Sequence, residues 1–352
     1  MSSTPSVKYV QLGKSGLRVS VPIIGAMSFG NPKWAVSDAS SQWVLDEEHS
    51  LPILKAAWDR GINTIDTADM YSNGDSERIV AKFIEKHQIP REEIVIATKC
   101  WNVVGKGADR DLMTVTQYPA ITQRREYINQ SGLSRAAIFN AVEGSLARLN
   151  TPYIDLYQIH RFDPSTPPEE TMKALHDLVR AGKVRYLGAS SMRAWQFALL
   201  NDVAARHGWT TFASMQDEHS LLYREEEREM LPYCQFHGIG VIPWSPLGGG
   251  LLARPLDAPN SARWKAALRM GRSKDDPVDV AIIGRVAEVA QKRGWAMSQV
   301  ALAWSARYVT SPIVGFNSVS RIDTSIVDGE LTDDEAKYLE EPYQPKAVRG
   351  HA

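Results

Sequence analysis

The chain has 352 residues, 43% hydrophobic and 23% charged, with 40 Lys and Arg set against 41 Asp and Glu for a formal net charge of -1. That length and apolar fraction suit a globular protein with a sizeable core, and the near-zero balance excludes a global field that would gather nucleic acid or an anionic membrane. Two cysteines, Cys100 and Cys234, are too few for a disulfide framework or a four-ligand metal site and read as free thiols of a reducing compartment.

The opening MSSTPSVKYVQLGKSG lacks the basic and apolar regions of a secretory signal, and no run approaches the ~18 apolar residues of a membrane span, so the cytoplasm is expected. Lys14-Ser15-Gly16 marks a turn, and KYVQLGKSGLRVS is expected to form an N-terminal β-hairpin that closes one end of the fold. Eight short apolar runs follow: VPIIGA, INTID, EIVIATK, YIDLYQIH, VRYLGAS, TFASMQ, GVIPWS and SPIVGF. Segments of helical spacing lie between most of them. Ser134 as N-cap leads Ile138, Val142, Leu146 and Leu149 on one face. Met172, Leu175 and Val179 precede Gly182; Trp195, Leu199 and Val203 precede Gly208; Val280, Ile283 and Val289 precede Gly294. Each glycine suits the left-handed position that ends a helix. Strands alternating with helices imply a parallel sheet with right-handed crossovers, and eight such units can close into a (β/α)8 TIM barrel, with a doubly wound open sheet as the rival. No Pro/Gly-rich linker separates regions of different composition, so residues 1–352 are expected to form a single domain. Residues 100–133 and 253–278 exceed the usual connection and are expected as long loops at the C-terminal face.

In such a barrel, function collects at the C-terminal ends of the strands. The residues closing the runs are Asp66, Lys99, His160, Ser190 with Ser191, Gln216, Ser245 after Trp244, and Gly315 with Asn317. Singly, each has a plain structural reading: a turn cap for Asp66, a solvated Lys99, a core histidine for His160. A barrel needs no such ring of polar groups for its stability. Tyr71 lies in IDTADMYSNGDSE, where the chain leaves a strand for a helix whose start is marked by Asp75, Ser76 and Glu77. A tyrosine titrates near pH ~10, and a cation beside it favours the phenolate, so Lys99 is expected to bring Tyr71 closer to working pH. Asp66 can anchor the ammonium, and His160 can orient or polarise a reacting oxygen. The group suits proton donation to a carbonyl that receives hydride, and the hydride requires a cofactor such as a nicotinamide. A barrel lyase using Lys99 as a Schiff base would need a lysine without a close carboxylate, which Asp66 disfavours.

Ser190, Ser191 and Gln216 offer donors and acceptors for a carboxamide, while Trp244 offers either a flat face for a planar ring or core packing. SPLGGG at 245–250 supplies a flexible loop for a pyrophosphate, and no GxGxxG follows an early strand. Arg263, Arg321, Asn317 and Ser318 are candidates for the adenosine side; arginines suit a 2′-phosphate, hence NADPH in preference to NADH. Trp34 and Trp101 lie just beyond strand ends, where indoles can wall an apolar pocket or merely pack. The eight histidines show no HExxH or paired-ligand spacing, so no metal is expected.

From GAMSFG to the last strand and helix the chain resembles the aldo-keto reductase family. IDTADMYSNGDSE is similar to the family's DTAxxYGxGxSE signature, with Asp66 and Tyr71 at the catalytic aspartate and tyrosine; Lys99 in IVIATK and His160 in DLYQIH fall on the other two catalytic positions. The resemblance implies a (β/α)8 barrel without a Rossmann fingerprint that binds NADP(H) across its C-terminal face. It implies Ser190 and Gln216 at the carboxamide, Trp244 stacked on the nicotinamide, and Ser245, Leu247 and Gly249 along the pyrophosphate. Arg263 and the 315–321 turn, with Gly315, Asn317 and Arg321, would take the adenosine end, and Met27 and Asp66 complete the cofactor set. Ser72 replaces the usual glycine after the tyrosine, Ser191 stands where asparagine often follows the serine, and Arg321 and Ser325 stand at frequent glutamine and asparagine positions. The strings YSNG, IHRFDP, GASSM, LLYREEEREMLPYC and IPWSPL are similar to aryl-alcohol dehydrogenase and versiconal-reductase-type members. That implies a small-molecule carbonyl substrate, an aromatic or otherwise hydrophobic aldehyde, reduced reversibly. The second reading is a cofactor-binding regulatory subunit of the kind found among potassium-channel β-subunits, which generally carry asparagine where His160 stands.

Overall fold

A computed structural model describes residues 7–34, 42–114, 120–259, 262, 265 and 275–351 of the chain. Strands β1 (Lys8–Gln11) and β2 (Arg18–Val21) pair antiparallel, with Lys8 opposite Val21. The turn between them seats on the barrel because Gly13 has φ +58° and no side chain. A Cβ there would stand 2.4 Å from the Gly238 carbonyl oxygen and 2.5 Å from the Gly240 nitrogen. Lys14 N–H donates to that same Gly238 oxygen at 2.7 Å. Leu12 and Val19 bury themselves against Ile23, Val95, Ala97, Leu156, Ile242 and Ile313, so the hairpin caps the N-terminal end of the barrel.

Eight parallel strands form the barrel wall: β3 (Ile23–Gly25), β4 (Thr64–Asp66), β5 (Val95–Cys100), β6 (Ile154–Ile159), β7 (Val184–Ser190), β8 (Phe212–Gln216), β9 (Gly240–Val241) and β10 (Ile313–Gly315). The sheet runs β10-β3-β4-β5-β6-β7-β8-β9. Its two ends meet: Thr310 N–H donates to Val241 O at 2.8 Å and Ile313 N–H to Pro243 O at 2.9 Å. Every residue of β5 and β6 is buried, as parallel strands covered on both faces must be.

The helices around it are α1 (Glu47–Asp59), α2 (Asp75–Lys86), α3 (Arg135–Leu149), α4 (Pro168–Arg180), α5 (Ala194–Arg206), α6 (Met230–His237), α7 (Pro277–Arg293), α8 (Met297–Ser305), α9 (Ser320–Asp323) and α10 (Asp333–Glu340). Ser134 caps α3 by accepting from Ala137 N–H at 3.2 Å. Gly182, Gly208 and Gly294 stand just past α4, α5 and α7 with φ of +71°, +66° and +64°. The core-facing side of α5 differs from the expectation. Trp195 and Leu199 are 59% and 37% exposed, whereas Phe197, Leu200 and Ala204, at i, i+3 and i+7, are buried. On α7 Val280 is likewise exposed, and Ile282, Ile283, Val286 and Val289 form the buried side. Among the described residues no helix is long and apolar enough to cross a membrane.

The stretch after β5 contains short 3-10 turns at Gly107–Asp109 and Ala120–Gln123 and buries Val103, Ile121 and Tyr127 in a small cluster of its own. It and the stretch after β9 both leave the C-terminal ends of strands, on the side where Asp66, Ser190 and Gln216 close their own strands.

Candidate active site

Strand register builds the centre of the site. Asp66 pairs with Ala97, which places Lys99 two residues further along β5, on the same side of its strand. Lys99 pairs in turn with Gln158, and Gln158 with Gly188. A side chain at Gly188 would lie 2.9 Å from Gln158 Cγ and 2.6 Å from Ser214 Oγ, so the missing Cβ is what leaves room for Gln158 inside the barrel.

Lys99 is fully buried, and its ammonium donates to Asp66 Oδ1 at 2.5 Å, to the Thr67 carbonyl at 2.9 Å and to Tyr71 Oη at 3.4 Å. Those contacts take all three donors of an ammonium. The other oxygen of Asp66 accepts from Gln158 Nε2 and from Gln216 Nε2, each at 2.9 Å, and Gln216 also donates to Gln158 Oε1 at 3.0 Å. A buried ion pair is tolerable only when it is hydrogen-bonded on all sides in this way.

Tyr71 opens a 3-10 turn, Tyr71–Gly74, in which Ser72 and Asn73 both take φ of 49°. Asparagine tolerates that left-handed backbone, and here its side chain also anchors the turn. Asn73 Oδ1 accepts from Gly105 N–H at 2.8 Å, while Nδ2 donates to the carbonyls of Arg110 at 2.8 Å and Leu112 at 2.7 Å. Ser72, at the usual glycine position, fits because its neighbour is Gly30, where a Cβ would lie 2.2 Å from Ser72 Oγ.

The His160 ring meets the Tyr71 ring edge to face, with centroids 5.9 Å apart and planes at 78°. Its Nδ1 lies 3.4 Å from Asn102 Nδ2; with Nδ1 accepting there, the proton of the neutral ring sits on Nε2. Burial, reinforced by the charges of Arg161 and Lys99, drives the imidazole well below its ordinary pKa, so the ring is neutral at physiological pH. Burial pushes the Tyr71 phenol above its ordinary value; Lys99 pulls the other way and Asp66 adds to the rise. The net shift is upward, so Lys99 alone does not bring Tyr71 toward neutral pH. Burial also disfavours the Lys99 ammonium, but Asp66 and Tyr71 beside it raise its pKa overall.

The other candidates lie around this centre. Ser190 Oγ donates to the Gln216 carbonyl at 2.7 Å. Ser191, at φ 31°, accepts from Trp244 Nε1 at 3.0 Å, which fixes the edge of the indole. Ser245 has φ of 55°, and after Leu247 at -100° the three glycines Gly248, Gly249 and Gly250 take φ of 57°, 72° and 101°, positive-φ backbone that suits an anion cradle. Leu247 packs against both the main core and the outer helical cluster. Gly315 closes β10 at the surface, and Asn317 follows it. Arg321 has its guanidinium pKa lowered by burial and then by the charge of Arg254, so two arginines share one locality. Arg263 lies outside the described residues.

Met27 and Trp34 join Tyr71, Met70, Ala68, Val44 and Trp43 in one apolar cluster, and Trp34 meets Trp43 edge to face at 6.4 Å. Trp101, at φ 142°, packs instead against the main core and is not brought into that cluster. The strand-end reading overlooked Gln158, Asn102, Arg161, Arg254 and Trp43. Gln158 had a signal: two residues before His160 on one strand, it shares that residue's side. Cys100 and Cys234 are buried free thiols, and burial raises Cys100 to about 12. Among the described residues no group of three or more His, Cys, Asp or Glu side chains is arranged to hold a metal.

The Aldo/keto reductase family model matches residues 23–344. The aldo-keto reductase dtxS3 of Metarhizium robertsii is 52% identical over 356 residues, covering 99% of this chain and 95% of that protein. The versiconal hemiacetal acetate reductase of Aspergillus parasiticus is 47% identical, covering 97% of this chain and 98% of its own. A putative aryl-alcohol dehydrogenase of Schizosaccharomyces pombe is also 47% identical, over 99% of both chains.

Proposed function

Because the chain belongs to the aldo/keto reductase family, oxidoreductases acting on carbonyl compounds, we propose that it is a cytoplasmic NADPH-dependent reductase of aromatic or otherwise hydrophobic aldehydes with Tyr71 as its general acid. The observation that carries this reading is the contact of Tyr71 Oη with Lys99 Nζ at 3.4 Å, on an ammonium that Asp66 holds at 2.5 Å.

The residues present fit a nicotinamide dinucleotide. Ser191 pins the Trp244 indole as a stacking face, the Ser245–Gly250 backbone suits a pyrophosphate, and Arg254 with Arg321 suits a further phosphate. When bound, the reduced nicotinamide supplies the hydride. Tyr71 gives its phenolic proton to the carbonyl oxygen. As negative charge develops on Tyr71, the Lys99 ammonium stabilises it in a site closed to water. Asp66, held by Gln158 and Gln216, keeps that ammonium charged and in place. Neutral His160 directs Nε2–H at the same carbonyl oxygen, polarising it without competing as an acid. In the reverse direction Tyr71 takes the proton back from an alcohol. The cluster of Met27, Trp34, Trp43 and Met70 beside Tyr71 gives an apolar wall for an aromatic ring, in keeping with the name of the relative called a putative aryl-alcohol dehydrogenase.

Tyr71→Phe removes the proton and little else. Its turnover of a simple aromatic aldehyde should fall by ~10²–10⁴-fold, while NADPH binding, followed by tryptophan fluorescence, should hold within a few-fold. Undiminished turnover overturns the assignment. Very slow turnover by the unaltered protein across aldehydes, ketones and alcohols with both NADPH and NADH would favour the regulatory-subunit reading.

A further inference from the structure

Arg161 follows His160 at the C-terminal end of β6, and its charge acts on the Tyr71 phenol, the His160 ring and the Asp217 carboxyl. The side chain is half-buried, and Nη1 donates to the His160 carbonyl at 2.6 Å. That is its one hydrogen bond among the described residues, where a guanidinium carries five N–H donors. Other sheltered arginines of this chain have carboxylate partners: Arg91 pairs with Asp155, Arg148 with Glu77, and Arg224 with Glu227. Among the described residues no carboxylate oxygen lies within ion-pair distance of Arg161. Asp217 is no counter-ion either. It is 1% exposed, no side chain hydrogen-bonds to its oxygens, and burial together with nearby Glu226 raises its pKa well above its ordinary value, which disfavours the charged form.

A sheltered cation with no carboxylate in ion-pair reach is costly, and this one follows His160 in the chain and its charge bears on the Tyr71 phenol. Its place in the barrel tells which anion it would meet. In the sheet order β6 is three strands from β9 and four from β10, across the mouth from the glycine-rich loop after β9 and from Arg321 after β10. The groups that fit coenzyme phosphates are therefore on the far wall, and the anion at Arg161 is one that arrives with the substrate.

We propose that Arg161 is a specificity-determining residue that binds a carboxylate on the substrate, so that the site prefers aldehydes bearing a carboxylate over their neutral counterparts. One end of such a substrate meets Tyr71 and His160, and the other forms a charge-assisted pair with the guanidinium. The inference rests on Tyr71 as the point of carbonyl reduction.

The test compares 4-carboxybenzaldehyde with methyl 4-formylbenzoate, which differ chiefly in charge, using NADPH and the full chain at pH 7. The unaltered protein should favour the acid, and Arg161→Gln should lower the acid-to-ester ratio of kcat/KM by about tenfold or more, chiefly through KM for the acid. Arg161→Lys should restore part of that ratio. A second readout needs no turnover: the dissociation constant of terephthalate, followed by tryptophan fluorescence, should rise by about tenfold in Arg161→Gln. A ratio that does not change in Arg161→Gln, or a protein that favours the ester, overturns the inference. If the unaltered protein reduces neither aldehyde, the Tyr71 reading fails, and terephthalate binding decides Arg161 separately: weakened binding in Arg161→Gln retains the carboxylate site, and unchanged binding removes it.

Discussion

Lys99 and Asp66 depend on each other because neither meets water. Lys99→Met would leave the Asp66 carboxylate buried with two amide donors and no cation, at an expected cost of about 3–5 kcal/mol in urea denaturation. Lys99→Met combined with Asp66→Asn should cost less than the sum of the single changes, since the stranded charge is gone, yet turnover should stay lost. His160 makes a prediction about pH. Its pKa is depressed in the folded state, so the unfolded chain takes up the proton first as pH falls below ~6.5, and stability declines from there. Asp69 and Asp217, whose pKa values are raised by burial, contribute with the opposite sign. The quantity to measure is therefore the stability difference between the unaltered protein and His160→Asn, which should move against the unaltered protein between pH 7 and 5. A difference that stays flat would contradict a neutral, buried ring. At this scale the sequence pointed to Asp66, Lys99, His160 and Gln216 because each ends or nearly ends an apolar run. Gln158 sits inside such a run, where only its two-residue offset from His160 marks it, and no local pattern reveals that burial outweighs Lys99 in setting the Tyr71 pKa.

The elements were readable wherever a local rule governs them. The stops of α4, α5 and α7 follow glycines that the structure holds at positive φ, and Ser134 caps α3 as its hydroxyl allows. The inward side of α5 is not set by spacing alone, because Trp195 and Leu199 at i and i+4 fit a helical row as well as Phe197 and Leu200 at i and i+3, and only docking against the sheet decides which row is covered. The hairpin is the element most open to test. Gly13→Ala puts a methyl group against backbone atoms of Gly238 and Gly240 and forces a positive φ on alanine. It should lower stability by at least about 2 kcal/mol, read by chemical denaturation, whereas Gly208→Ala, at a similar φ with open space around it, should cost about 1 kcal/mol. Equal costs at the two sites would mean that the hairpin does not bear on the barrel as described.

Across the whole molecule, the seam between β9 and β10 closes the barrel, and the two clustered arginines flank it: Arg254 beyond β9 and Arg321 beyond β10. A ligand gripping both joins the first and last edges of the sheet. NADPH at 100 times its dissociation constant should stabilise the fold by ~2.7 kcal/mol. At equal concentration NADH should raise Tm less, and Arg254→Ala with Arg321→Ala should erase the difference between the coenzymes. An unchanged NADPH advantage would place the extra phosphate elsewhere. The barrel itself was foreseeable from eight apolar runs alternating with helices, but its closure and the convergence of two distant arginines depend on tertiary geometry that no local pattern carries. The Asp66 carboxylate has a related consequence. Its partners come from β5, β6 and β8, and a one-residue slip of any of these strands would turn that partner to the other face. The carboxylate thus works as a gauge of strand alignment, and turnover per mole of protein counts the molecules whose barrels have closed in register.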